Sequence, residues 1–211
     1  MTPRFILASA SPARRKVLTD AGLDPEVIVS GVDEDGIDAA SPADLAARLA
    51  ELKASAVADR ILADASPEVP TVIVGCDSVL EMDGVAHGKP HTPESATERW
   101  RRMRGRAGVL HTGHHVIVAH GTERSEQTEV GSTTVVFADI TDDEIAAYVA
   151  SEEPLWVAGG FTLDGLGGAF CDRIDGDPHN VIGISLPLLR RVLGRAGVAW
   201  PSLWRGADRE R

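Results

Sequence analysis

The chain lacks most of the features that would assign it quickly. Its 211 residues contain two cysteines, Cys76 and Cys171, too few for a disulfide framework. Both lie in apolar stretches, where buried free thiols are expected. No apolar run approaches the roughly 20 residues that cross a bilayer. Nor does the start have the order of a secretory signal: after FILASASPA, from Phe5, the basic Arg14-Arg15-Lys16 run comes late rather than early. A cytoplasmic protein with no membrane partner is the expectation. Cations are the minority, 21 Lys and Arg against 32 Asp and Glu, for a net charge of −11. That balance argues against a nucleic-acid polymer as partner, but a local cluster of cations can still hold a small anion. Aromatic residues make up 4% of the chain. The tryptophans Trp100, Trp156, Trp200 and Trp204 are dispersed, and packing is their default role.

Familiar ligand motifs are missing too. There is no Walker A loop, which excludes a P-loop NTPase. The Gly-rich segment GGFTLDGLGGAF, Gly159–Phe170, puts Phe170 where a Rossmann fingerprint needs its third glycine. It is read equally well as backbone beside a ligand or as a turn region. His111, His114 and His115 do not converge as a metal triad, because in a strand His111 and His115 share one face and His114 takes the other. Surface histidines are expected there. Without repeats, linkers or low-complexity tracts, one domain over residues 1–200 is expected, with a frayed polar tail over 201–211.

What is present reads as mixed α/β. Strands are predicted at Phe5–Ser9, Val27–Ser30, Thr71–Gly75, Ser78–Met82, Val109–Ala119, Thr128–Ala138, Phe161–Leu163 and Ala169–Ile174. A turn at Asp83-Gly84 closes the fourth, and the fifth and sixth form a long hairpin around His120-Gly121. Ser11-Pro12, Ser41-Pro42 and Thr92-Pro93 each set a capping hydroxyl before a proline suited to the first helical position. Thr141 to Glu144 is a capping box, and a last helix runs from about Ser185 to Arg195. Early parallel crossovers and a late hairpin predict a mixed central sheet flanked by helices.

Two of those helices carry a cation on the wrong side. In the first, Val17, Leu18 and Ala21 form the apolar face and Arg14 shares it. In the second, about Pro42–Asp59, Leu45, Ala46, Leu49, Leu52 and Ala56 form the stripe and Lys53 falls inside it. A lone lysine there can snorkel at the stripe's edge. Two inward cations on separate helices call for an anionic partner instead. Asp77 follows an apolar strand, and Asp33, Glu34 and Asp35 follow another. The plain alternatives are a turn cap and a solvated acidic loop. Carboxylates arriving from two strands also suit a divalent cation such as Mg²⁺ that is completed by substrate phosphates. Lys89, in HGKP, is placed to curl back toward the same strand end. With Ser9 and Ser11 at a helix N-terminus, these parts fit metal-assisted chemistry on a polyphosphate.

In order and spacing, LASASPARRKVL, VDED, the Lys53 helix, GCDSV, GKP and GDPHNVIGISLP resemble the Maf family of nucleoside triphosphate pyrophosphatases, over almost the whole chain from Ile6 to about Leu193. The resemblance implies a two-lobed fold with a cleft, related to the inosine triphosphate pyrophosphatases (Maf/Ham1), and commonly a homodimer. It implies hydrolysis of a nucleoside triphosphate to the monophosphate and pyrophosphate, with Mg²⁺ or Mn²⁺, removing unwanted nucleotides. It carries the family's phosphate motif onto Ser9, Ser11 and Arg14, its acidic-loop glutamate onto Glu34, its lysines onto Lys53 and Lys89, and its proton acceptor onto Asp77. Glu34 and Asp77 are the expected metal ligands, and Asp164 the expected contact to base or sugar. Where the dTTP/UTP branch carries Asp-Lys and Gln, this chain has Trp156-Val157 and Asp164. Asp164 and GDPHNVIG lie closer to the 7-methylguanosine triphosphate branch, whereas Asp77-Ser78 and Ala13 depart from it. Both base preferences stay open. The family's association with arrest of septum formation adds an alternative, a nucleotide-sensing regulator with little turnover.

Overall fold

The computed structural model describes residues 2–63 and 67–206. Its strands are β1 (Arg4–Leu7), β2 (Glu26–Val27), β3 (Thr71–Met82), β4 (Val85–His87), β5 (Ala107–His120), β6 (Glu123–Phe137) and β7 (Cys171–Asp175). The helices are α1 (Pro12–Asp20), α2 (Pro42–Leu62), α3 (Pro93–Met103), α4 (Asp142–Ala150), α5 (Pro178–Ile182) and α6 (Leu186–Arg195). The strands form a seven-stranded sheet in the order β2-β1-β3-β5-β6-β7, with β4 also on β3. β1 is parallel to β2 and β3, and every other pairing is antiparallel. The fold is therefore mixed α/β, as expected.

The capping devices act as the sequence implies. The hydroxyls of Ser11, Ser41 and Thr92 accept the backbone N–H groups of Arg14, Asp44 and Ser95, and Thr141 with Glu144 completes the capping box. The long hairpin turns at His120-Gly121, with His120 registered on Glu123.

Several expectations need correction. Thr71–Gly75 and Ser78–Met82 are one strand, β3, so Asp77 stands in mid-strand and not beyond a strand end. Val27–Ser30 shrinks to Glu26–Val27, and Phe161–Leu163 is not a strand. His111, His114 and His115 are buried, because β5 is covered on both faces. On α2 the inward stripe is rotated to Ala46, Leu49, Ala50, Lys53, Ala54, Val57 and Ala58, leaving Leu52 40% exposed. The tail is not frayed at its start: Trp200–Leu203 forms a 3-10 turn, Leu203 is buried, and the Arg205 N–H donates to the Gly22 carbonyl. Residues 207–211 lie outside the described residues. Trp100 is buried, but Trp156 is 60% exposed and Trp204 also faces solvent. Cys76 is buried and Cys171 half-buried, both as free thiols.

The apolar residues divide along the sheet. Val72, Val74 and Cys76 of β3 pack with Val17 and Leu18 of α1 and with Leu189, Val192 and Leu193 of α6. Farther along the same face, Leu80 and Met82 pack with Trp100 and Met103 of α3 and Ile145 and Tyr148 of α4. On the opposite face Ile73 and Ile117 meet Ala54, Val57 and Ala58 of α2. Asp77 and Ser78 thus lie where β3 passes from one lobe's core to the other's. Two glycines set the height of α2 above the sheet. A Cβ on Gly75 would come 2.2 Å from the Ala50 carbonyl oxygen, and one on Gly113 would come 2.1 Å from that of Ala46. Small residues of the helix therefore rest directly on bare backbone, and this close approach carries Lys53 down to β3.

Candidate active site

β1 is registered on β3 as far as Val74, and β4 begins its pairing at Leu80. Between them Gly75 to Val79 has β5 on one side and, among the described residues, no strand on the other. The chain leaving β1, Ala8 to Ser11, runs into this gap and leads into α1. Side chains alternate along a strand, so Asp77 points to the α2 face and Ser78 to the α1 face. One dipeptide thereby supplies a carboxylate to one side of the sheet and a hydroxyl to the other.

On the α1 side the centre is Arg14, 9% exposed. Its Nε donates to the Gly183 carbonyl at 2.7 Å, Nη1 to Ser9 Oγ at 3.0 Å and Nη2 to Ser78 Oγ at 3.0 Å. All three partners are neutral oxygens, and among the described residues no carboxylate lies within ion-pair distance of this guanidinium. A nearly buried cation without a counter-ion is costly and marks a place for an anion. Ser9 Oγ also accepts the Ser11 N–H at 3.2 Å. With two donors already directed at its oxygen, the Ser9 hydroxyl still has its own proton to give. His114 stands behind this cluster. Its Nδ1 donates to the Thr112 carbonyl at 3.0 Å, and its Nε2 accepts the Ser185 N–H at 2.8 Å. Burial, reinforced by the positive charge of Arg14, pushes its pKa down to about 4, so it is a neutral brace and adds no further charge.

On the α2 side Lys53 is buried, and its Nζ lies 2.5 Å from Asp77 Oδ1 and 2.9 Å from Glu34 Oε1. Two carboxylates on one ammonium leave this cluster with a net negative charge. The two faces of β3 are therefore of opposite sign, an unneutralised guanidinium on one and an excess carboxylate on the other. Such a pair offers a place for phosphate on one face of the strand and for a cation on the other.

Of the expected site residues, the structure brings Ser9, Ser11 and Arg14 together on one face of β3 and Glu34, Lys53 and Asp77 on the other. It does not bring Lys89 or Asp164 into contact with either group. Lys89 is exposed on the loop after β4. That loop is tied elsewhere: the Gly88 carbonyl accepts the Arg99 guanidinium and, at 3.1 Å, the Gly159 N–H. Asp164 is exposed in the Gly-rich segment, and its charge adds to the larger effect of Asp20 in raising the pKa of Lys16 on α1. The Gly-rich segment is organised by Glu153, which accepts the Tyr148 and Thr162 hydroxyls and the N–H groups of Leu166 and Gly167.

Sequence reasoning missed Ser78, Thr112, Asn180 and Gly183. Thr112 is fully buried, and its Oγ1 lies 3.0 Å from Ser78 Oγ and 2.8 Å from the Asn180 carbonyl. Ser78 lies in GCDSV and Asn180 and Gly183 in GDPHNVIG, but nothing in either string says that Ser78 and the last glycine accept from Arg14.

A family model described as "Maf-like protein" matches residues 4–196. A protein of Cutibacterium acnes named nucleoside triphosphate pyrophosphatase is 54% identical over 206 residues, covering 98% of this chain and 97% of that one. A Streptomyces avermitilis protein of the same name is 56% identical over 202 residues, covering 95% and 94%. Among solved structures, a HAM1 protein from Coxiella burnetii aligns over 92% of this chain and 99% of its own at 15% identity, with a TM-score of 0.38. That likeness is too loose to build on.

Proposed function

The chain belongs to the Maf-like family, and on that premise we propose that it hydrolyses a nucleoside triphosphate to the monophosphate and pyrophosphate, as the names of its close relatives suggest. The observation that carries this reading is Arg14, a nearly buried guanidinium held by neutral oxygens, set back to back with the Glu34–Lys53–Asp77 cluster across one strand.

In this reading Arg14, the free proton of the Ser9 hydroxyl and the N-terminus of α1 at Ser11 hold phosphate oxygens. Glu34 and Asp77 fit a hard divalent cation. Their carboxylates converge on one point, at present served by the Lys53 ammonium, and each has a second oxygen to offer. Among the described residues no cluster of three or more His, Cys, Asp or Glu could hold a metal, so further ligands would come from water and from the substrate's phosphates. That is the habit of Mg²⁺ and Mn²⁺ sites. When bound, the cation neutralises phosphate charge. Asp77 orients the attacking water and accepts its proton. The new bond forms between the water oxygen and the α-phosphorus, and the bond to the oxygen bridging to the β-phosphorus breaks, releasing pyrophosphate. Lys53 holds the two carboxylates in register. Lys89 neutralises the departing pyrophosphate, and Asp164 meets the base or sugar.

The test is pyrophosphate release by the purified protein with Mg²⁺ or Mn²⁺ on a panel of ordinary and 7-methylated triphosphates. Release by the parent protein and its loss in Asp77→Asn support the reading, and the order of kcat/KM across the panel gives the base. Equal release by both proteins sinks the role of Asp77. Nucleotide binding with no turnover points instead to a sensor.

A further inference from the structure

Arg14 donates to a row of hydroxyls whose own proton directions can be worked out. A carbonyl only accepts, so the contact between Thr112 Oγ1 and the Asn180 carbonyl, 2.8 Å, uses the one proton of Thr112. The contact between Ser78 and Thr112, 3.0 Å, must then use the proton of Ser78. A guanidinium only donates, so Ser78 Oγ is left to accept from Arg14 Nη2. Every proton in the row Arg14–Ser78–Thr112–Asn180 has one direction. Ser78, although beside Asp77, has no proton to offer a substrate.

Thr112 reaches Arg14 by a second route. Asn180, 1% exposed, donates through Nδ2 to the Leu110 carbonyl at 3.1 Å and to Thr133 Oγ1 at 3.2 Å. With the bond from Thr112, these fix α5 against β5 and β6. α5 is capped by Gly183, whose φ of 126° suits glycine and whose carbonyl accepts Arg14 Nε. Two of the three bonds to the guanidinium therefore depend on groups that Thr112 holds. We infer that Thr112 is a positioning residue: through Ser78 and through α5 it sets the plane of the Arg14 guanidinium, so that the two remaining N–H groups present a fixed fork to a polyphosphate. The ligand class rests on the reading of the site given above, but the positioning does not require turnover.

The experiment is calorimetric binding of inorganic tripolyphosphate, which has no base and requires no hydrolysis, to the parent protein, Thr112→Val, Thr112→Ser, Arg14→Met and Thr112→Val/Arg14→Met. Thr112→Val is expected to weaken binding about tenfold. Thr112→Ser, which restores the hydroxyl, should bind within about twofold of the parent. In the Arg14→Met background the valine should cost nothing more, because the group it positions is gone. An equal loss in both backgrounds, unchanged binding in Thr112→Val, or no binding by the parent protein overturns the proposal. If Thr112→Val does not fold, Ser78→Ala takes its place in the same cycle with the same expectations. A purely structural role would shift the melting temperature and leave the cycle additive. Should the cycle come out coupled while no triphosphate is hydrolysed, the positioning stands and the pyrophosphatase reading falls.

Discussion

The two ends of the candidate site are built in opposite ways. Around Arg14 and Lys53 the side chains are buried, interlocked and fixed by groups far apart in sequence: Gly183, Ser78 and Ser9 on one face, Asp77 and Glu34 on the other. Lys89 and Asp164 are instead exposed on loops, which are held at the Gly88 carbonyl and by the two hydroxyls and two backbone N–H groups that donate to Glu153. The buried end holds its charges in place before a ligand arrives, which is what stabilisation of a charged transition state requires. At the exposed end the Lys89 and Asp164 side chains face solvent. If the proposed roles hold, the contrast separates the chemistry from the contact to the rest of the substrate, and substitutions at the two ends should behave differently.

The largest effect is expected at the buried end. Asp77→Asn keeps the shape of the side chain and removes its capacity to accept a proton, so kcat for pyrophosphate release should fall by about a thousandfold. Gly113→Val attacks the same end indirectly. A Cβ there already meets the Ala46 carbonyl at 2.1 Å, so α2 must rise and lift Lys53 from Asp77. Stability, measured by denaturant unfolding, should drop by about 3 kcal/mol, and kcat should fall with it. At the exposed end, Lys89→Ala should lower kcat/KM by about tenfold while leaving the melting temperature unchanged. A large loss of stability in that variant would break the contrast.

A separate effect, on stability and not on turnover, concerns pH. Neutral, buried His114 has a pKa of about 4 against an ordinary 6.5, because of burial and then Arg14. Between those values the unfolded chain takes up a proton that the folded chain refuses, so this group's contribution is complete above pH 6.5 and is lost as pH falls toward 4. The full span is on the order of 3 kcal/mol. Stability of the parent protein should therefore fall more steeply with acid over that range than that of His114→Gln, and parallel curves would remove His114 from the account.

Much of the buried end was legible because it rests on helical spacing. Arg14 with Val17 and Leu18, and Lys53 one turn after Leu49, follow from residues close in sequence, as do the Ser-Pro and Thr-Pro caps. The rest depended on pairing between distant strands. Asp77 reads as a strand end because Gly75 interrupts the apolar run, yet Gly75 is there to admit α2. The burial of His111, His114 and His115 follows from β5 lying inside the sheet with helices on both faces, which a polar-looking stretch does not announce. Ser78 and Thr112 are ordinary strand residues until the register sets Ser78 opposite Thr112 and α5 closes over them. Lys89 reads as part of the same cluster because β4 returns toward β3, but the hairpin keeps its side chain in solvent.

In the proposed mechanism one strand carries a phosphate cradle on one face and, on the other, the carboxylate that directs water to the α-phosphorus. Hydrolysis of the preferred triphosphate in ¹⁸O-labelled water, followed by phosphorus NMR of the products, tests it most directly. Label in the nucleoside monophosphate, with unlabelled pyrophosphate released, is the predicted result. Label in the pyrophosphate, or release of orthophosphate, would contradict it.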